Sequence, residues 1–149
     1  METIRKSLQR GYQKNMKALI DTNILLDFYC ERARVREAED ILRMACTRFT
    51  GLLMASQIKD LSYILRKENQ NEVKFFLKDL LDSLQIIDLT RSDVYQALNC
   101  KMTDVEDAML SYSARRHKAD YIISWNISDF SMSPVKAITP TEFIERMSK

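Results

Sequence analysis

Short apolar runs recur along this chain with helix-length amphipathic stretches between most of them, and that alternation restricts the fold more than any other feature. The runs are Lys17–Asp21, Gly51–Ala55, Gln85–Leu89, Asp120–Ser124 and Val135–Ile138, each bounded by polar or turn-forming residues and short enough to be a buried strand. Between them, Arg34–Phe49 carries Val35, Ala38, Ile41, Leu42 and Ala45 on one helical face, and Ile58–Lys67 carries Ile58, Leu61, Ile64 and Leu65. Glu72–Leu84, Asp93–Asn99 and Asp104–His117 follow the same period, and Thr139-Pro140 opens a last helix that runs through Arg146. Strands alternating with helices predict a parallel-type α/β sandwich. Only 2 Gly and 2 Pro interrupt the 149 residues, and 46% of the chain is hydrophobic, which excludes collagen-like, low-complexity and disordered classes.

With no long-period repeat and no Pro/Gly/Ser-rich linker, one domain is expected over residues 16–149, preceded by a basic segment, residues 1–15. There Arg5, Lys6, Arg10 and Lys14 outweigh Glu2, so the net +2 of the whole chain resides in this preface and the domain itself is slightly acidic. The preface reads as a helix, an expression or start-site remnant, or a basic arm for RNA. No signal-type apolar region and no membrane-length apolar run occurs, and Cys30, Cys46 and Cys100 are odd in number. A cytoplasmic protein is expected, with the three cysteines as small buried apolar residues. One histidine, His117, and no C-x-x-C pair leave no zinc-ligand set, and His117, at the end of a basic helix, is expected at the surface or against RNA.

In open α/β sheets ligands bind beyond the carboxyl ends of the strands, so the acids there come first. Asp21 closes the first run and is followed by Thr22-Asn23. An Asp at that point loses hydration and needs a cation, a metal or several hydrogen bonds, unless it simply caps a helix over Ile24-Leu25-Leu26. Asp60 lies about one helical turn past the second run, either functional or on a solvated face beside Lys59. Asp104 and Asp107 share a helix face with Ser111. They call for a cation between them, or Asp104 is an N-cap with Asp107 at the third helical position. Glu106 points elsewhere, to solvent. Directly after the fourth run, Ser124-Trp125-Asn126-Ile127-Ser128-Asp129 offers oxygen ligands suited to Mg²⁺ or Mn²⁺, or an ordinary Asx turn.

The order of these elements matters more than any one of them. Segments 18–27 (ALIDTNILLD), 59–67 (KDLSYILRK), 104–130 (DVEDAMLSYSARRHKADYIISWNISDF) and 137–144 (AITPTEFI) resemble the PIN-domain family of metal-dependent ribonucleases, particularly its small prokaryotic toxin-like members. The resemblance spans Lys17 to Ile144 and implies a three-layer α/β/α sandwich around a mainly parallel sheet of about five short strands. It implies Asp21 and Asp107 as metal-binding acids, with Asp104 as a possible helper. Asp60 stands where the family usually has Glu, one methylene shorter. In the matching turn Asp129 ranks before Asn126 as the fourth acidic position. Ser124 matches a supporting hydroxyl and Asn23 is expected to orient Asp21. A cognate antitoxin and a homodimer are further implications of the resemblance.

Three or four carboxylates in one cleft raise one another's pKa unless a divalent ion joins them. One or two Mg²⁺ or Mn²⁺ ions at Asp21, Asp60, Asp107 and Asp129 would suit endonucleolytic cleavage of RNA. Phosphate contact then falls to local cations: Arg66 and Lys67, the run Arg115-Arg116-His117-Lys118, and Arg32, Arg34 and Arg36. Tyr12, Tyr29, Tyr63, Tyr112 and Trp125 are available to stack on unpaired bases or to pack in the core. Two other readings compete: a binding module that keeps the fold without turnover, and a phosphatase with Asp21 as nucleophile. The second lacks another Asp soon after Asp21 on the same loop.

Overall fold

The computed structural model describes residues 16–149; the basic preface read above lies outside the described residues. Five strands form one sheet: β1 (Lys17–Ile20), β2 (Thr50–Met54), β3 (Gln85–Ile87), β4 (Tyr121–Ile123) and β5 (Ala137–Ile138). Seven α-helices surround it: α1 (Thr22–Tyr29), α2 (Val35–Thr47), α3 (Ala55–Ile64), α4 (Gln70–Ser83), α5 (Arg91–Asn99), α6 (Val105–Arg116) and α7 (Pro140–Met147). A 3₁₀ turn, Ile127–Phe130, separates β4 from β5. The sheet order is β3-β2-β1-β4-β5 and every pairing is parallel, so the sheet expected to be mainly parallel is wholly so.

Strand periodicity decides which side chain enters which layer. Ala18 and Ile20 of β1, Leu53 of β2 and Ile123 of β4 join one core, with α1, α2, α3, α4 and α7 packed on it. Leu19, Leu52, Met54 and Ile122 join the opposite core, with α5 and α6. The three-layer sandwich follows from that division. The helices on the first face come close: a Cβ on Gly51 would lie 2.7 Å from a Leu84 methyl and 2.9 Å from Ala45 Cβ, so β2 needs glycine there. Phe49 and Phe143, both fully buried, meet edge to face at 4.7 Å and fasten α7 to the end of α2.

The chain steps outward from β1 through β2 to β3, then returns to the other side of β1 for β4. Right-handed crossovers in opposite directions place their helices on opposite faces, and the reversal leaves a crevice at the carboxyl ends of β1 and β4.

Most strands are shorter than the apolar runs, β3 ending at Ile87 and β5 beginning at Ala137, and two further departures from the sequence reading bear on the site. The helix weighed only as an alternative after Asp21 is real, and α3 begins directly at the end of β2, three residues before the expected Ile58. No Ser, Thr, Asp or Asn caps α3. The cap comes from inside the helix, where Gln57 Oε1 accepts the Met54 backbone N–H at 2.8 Å. Of the three cysteines only Cys46 is buried; Cys100 is half-buried and Cys30 exposed, because Cys30 ends α1 at a surface turn. Among the described residues no helix is long and apolar enough to cross a membrane.

Candidate active site

Asp21 sits at the crevice just described, at the carboxyl end of β1 beside β4. Its backbone N–H donates to Ile123 O at 3.0 Å, fastening the end of β1 to the end of β4. It occupies the N-cap position of α1, yet its side chain makes no capping hydrogen bond. The carboxylate turns instead to Ser124, whose hydroxyl donates to Oδ2 at 2.7 Å while its oxygen accepts the Asn126 N–H at 3.0 Å. Ser124 is fully buried, so the hydroxyl has no competing water. The hydrogen bond that orients Asp21 thus comes from Ser124, whereas Asn23 is exposed on the first turn of α1.

One supporting residue has no counterpart in the sequence reading. Gln57, also buried, donates from Nε2 to Ile20 O (2.9 Å) and to Thr22 Oγ1 (3.1 Å), while its Oε1 holds Met54 N–H. It straddles Asp21 in sequence and ties the exits of β1 and β2 together. Its only local signal is a Gln three residues past a strand end, because its other partners lie more than thirty residues away.

A cleft of about 500 Å³ opens on this point, lined by Asp21, Asn23, Gln57, Asp60, Glu106 and Asp107 among others. Asp107 projects from the first turn of α6, where Asp104 is the N-cap and accepts the Asp107 N–H at 2.9 Å. Asp104 therefore caps the helix, as one of its two sequence readings has it, and its charge acts on Asp107. Ser111 is turned back on its own helix, donating to Asp107 O at 2.8 Å. Asp60 and Tyr63 line the α3 side of the cleft.

Electrostatics single out two of these acids. Burial raises the Asp107 pKa to about 6, helped by the negative charges of Asp104, Asp21, Asp129 and Glu106. Asp21 is also raised, chiefly by burial, although the Ser124 hydroxyl and the Thr22 backbone N–H pull it down; the Asp129 charge pushes it up. Asp129, exposed in the 3₁₀ turn, thus adds negative charge to the surroundings of both Asp21 and Asp107, whereas Asn126 faces a neighbouring pocket. Among the described residues no three His, Cys, Asp or Glu side chains draw close enough to form one metal-holding group. The donors available are nonetheless all oxygens, their charges are uncompensated, and the two half-buried ones resist ionisation. A hard divalent cation fits that donor set.

The candidate cations divide. Arg115 and Lys118 are exposed near the end of α6, Lys118 in a left-handed conformation (φ 61°). Arg66 lies 4.2 Å over the Tyr63 ring, and Lys67 beside it is exposed. Arg116, expected to contact RNA, is engaged elsewhere: Nε donates to both oxygens of Asp93 at 3.1 Å and the guanidinium also binds Asp88. His117 Nε2 lies 3.2 Å from the same Asp88 carboxylate and Nδ1 2.9 Å from Ser113 O, so it is half-buried rather than a free surface group.

The family model for the PIN domain matches residues 17–128, most of the chain and every element that builds the cleft. The chain belongs to the PIN-domain family. Its PIN fold is also found in solved structures: VapBC2 of Rickettsia felis bound to a promoter DNA fragment gives a TM-score of 0.68 at 16% identity, covering 83% of this chain and 98% of that one. A toxin–antitoxin complex from Klebsiella pneumoniae gives 0.64 at 22% identity (83% and 97% covered), and PAE2754 of Pyrobaculum aerophilum gives 0.63 at 12% (89% and 90%). In sequence this PIN domain is 25% identical over 138 residues to Ribonuclease VapC1 of Aquifex aeolicus (strain VF5), covering 87% of this chain and 94% of the relative.

Proposed function

We propose that this PIN domain is a divalent-metal-dependent endoribonuclease, the toxin of a toxin–antitoxin pair. The observation that carries the reading is the pairing of Asp21 and Asp107 in one cleft at the carboxyl end of β1, both with raised pKa and neither with a cationic partner among the described residues. Membership of the PIN family and likeness to a VapC ribonuclease support it.

Asp21 and Asp107 are the acids to hold Mg²⁺ or Mn²⁺, with Asp129, Asp60 and Asp104 as further oxygen donors from the rim. A divalent ion bound there supplies charge neutralisation for a phosphodiester and acidity for an attacking water. The chain's own part is positional. Ser124 keeps one Asp21 oxygen in place, Gln57 keeps the backbone of β1 in place, and the N-cap at Asp104 fixes the turn that carries Asp107. Exposed Arg66, Lys67, Arg115 and Lys118 are the cations left to meet the RNA backbone.

Partners follow from the same reading. A cognate antitoxin would cover the cleft beside Tyr63 and Ile64, which are 66% and 47% exposed, far more than an apolar wall normally leaves to water. A homodimer is the expected assembly. A PIN-fold binding module without turnover is the second reading, favoured by the lack of a converged three-ligand group among the described residues.

Cleavage of a mixed single-stranded RNA panel in Mg²⁺ or Mn²⁺ tests the proposal. Wild-type protein should cut and Asp21→Asn should not; equal activity in both removes the proposed site. Mn²⁺ should also raise the melting temperature of the wild type, whereas a module with no ion site should show little change.

A further inference from the structure

A second pocket adjoins the cleft on the far side of Asp21, lined by Asn23, Asp27, Arg32, Ala33, Arg34, Trp125 and Asn126, with a volume of about 310 Å³. Three observations make it more than a surface dent. The Arg34 guanidinium carbon lies over the Trp125 ring, 4.1 Å from its centre, in cation–π contact with the indole. Arg34 is exposed and, among the described residues, pairs with no carboxylate, whereas its neighbour Arg32 is drawn 3.6 Å from the buried Asp27. Asn23 and Asn126 add two exposed side-chain amides, each offering both a donor and an acceptor.

The pocket is covalently continuous with the acid site. Asn23 is two residues from Asp21, Trp125 follows Ser124 directly, and the Asn126 N–H donates to the same hydroxyl that holds Asp21. The pocket and the acid cleft also share Asn23 as a lining residue. A planar cation backed by an aromatic ring, with amides beside it, is the chemistry that receives an unpaired base, by stacking on the guanidinium face and hydrogen bonding at the base edge.

Building on the ribonuclease reading, we propose that the Arg34–Trp125 stack is a base platform. It holds one unpaired nucleotide flanking the scissile phosphate, and Asn23 and Asn126 read its edge. These residues set nucleotide preference beside the cut without taking part in bond breaking.

Trp125 is the only tryptophan in the chain, so its emission reports on this pocket directly. The test titrates a short dye-labelled single-stranded RNA into full-length Asp21→Asn protein in Mg²⁺, following dye anisotropy and Trp125 emission together. Wild-type cleavage kinetics run alongside. Binding should change Trp125 emission saturably, in step with anisotropy. Arg34→Ala should weaken binding and raise KM about tenfold with little change in kcat, and should relax the base preference beside the cut. Arg34→Lys should recover only a minor part, because it restores charge without the plane.

RNA binding with silent Trp125 emission and an unchanged KM in Arg34→Ala overturns the platform and leaves the nuclease standing. Full rescue by Arg34→Lys also overturns it, reducing Arg34 to a point charge. If the wild type neither binds nor cuts RNA, the ribonuclease reading falls and the platform with it.

Discussion

Two pairs of acids at the same end of the sheet have opposite electrostatic fates. Asp88 follows β3 as Asp21 follows β1, and Asp93 stands at the third position of α5 as Asp107 does in α6. In the first pair a cation is built in. The Arg116 hydrogen bond lowers the pKa of Asp88; in Asp93 burial works to raise it, but the Arg116 and Thr90 hydrogen bonds outweigh burial. In the second pair no guanidinium arrives from among the described residues, and burial with neighbouring negative charge pushes both acids up. The same arrangement of strand exit and helix start thus makes a structural clamp in one place and a cleft of acids with raised pKa in the other. Arg116, helped by Thr90 at Asp93, makes the difference.

That contrast can be broken from either side. The largest loss of stability is expected on removing the clamp's cation: Arg116→Met leaves Asp93, fully inaccessible to water, as an unpaired buried carboxylate. Asp88 and Asp93 have lowered native pKa values, so their contribution is present above the ordinary carboxylate range and is lost as pH falls. Thermal unfolding should therefore show a large deficit for Arg116→Met near neutrality that narrows in acid. A deficit independent of pH would mean that packing, not charge, holds this corner.

The cleft should behave with the opposite sign. The native pKa of Asp107 is raised to about 6, so the folded state binds its proton more tightly than the unfolded chain does. Stability contributed by that proton is present in acid and lost as pH rises to about 6 and beyond. In chelator, Asp107→Asn should flatten this part of the profile and melt higher than wild type near neutrality. An unchanged slope would count against repulsion within the cleft.

The smallest effect is expected from Ser124→Ala, which takes away one hydrogen bond from Asp21 and leaves the Asn126 N–H unpaired. Stability should fall by about 1 kcal/mol. The Mn²⁺ concentration needed for half of the metal-induced rise in melting temperature should increase about tenfold. Equal Mn²⁺ dependence in variant and wild type would detach Ser124 from the acid site.

Features that depend on local pattern were readable from the sequence, and features that depend on distant partners were not. The β1, β2 and β4 runs announced themselves through apolar residues that alternate between two cores, and Asp21 through its place at the end of one of them. The helix after Asp21 was ambiguous because Asp-Thr-Asn serves equally to cap a helix and to ligate an ion; the fold uses the N-cap position but turns the carboxylate away. Arg116 looked like an RNA contact because its acids lie 23 and 28 residues earlier, where no helical period connects them. Gln57 was overlooked for the same reason. Cys30 departs from the burial its residue type suggests because it ends a helix at a solvent-facing turn.

The hydrogen bond from Ser124 to Asp21 spans 103 residues of chain, and the strand contact beside it joins β1, first of the described strands, to β4, almost the last. Contacts of such long range form slowly, since the loop between them must close before they contribute. An emerging or truncated chain that ends before β4 has Asp21 but neither the hydroxyl that aims it nor the neighbouring strand that fixes its backbone. The arrangement around Asp21 is therefore complete only when nearly the whole domain has been made and closed.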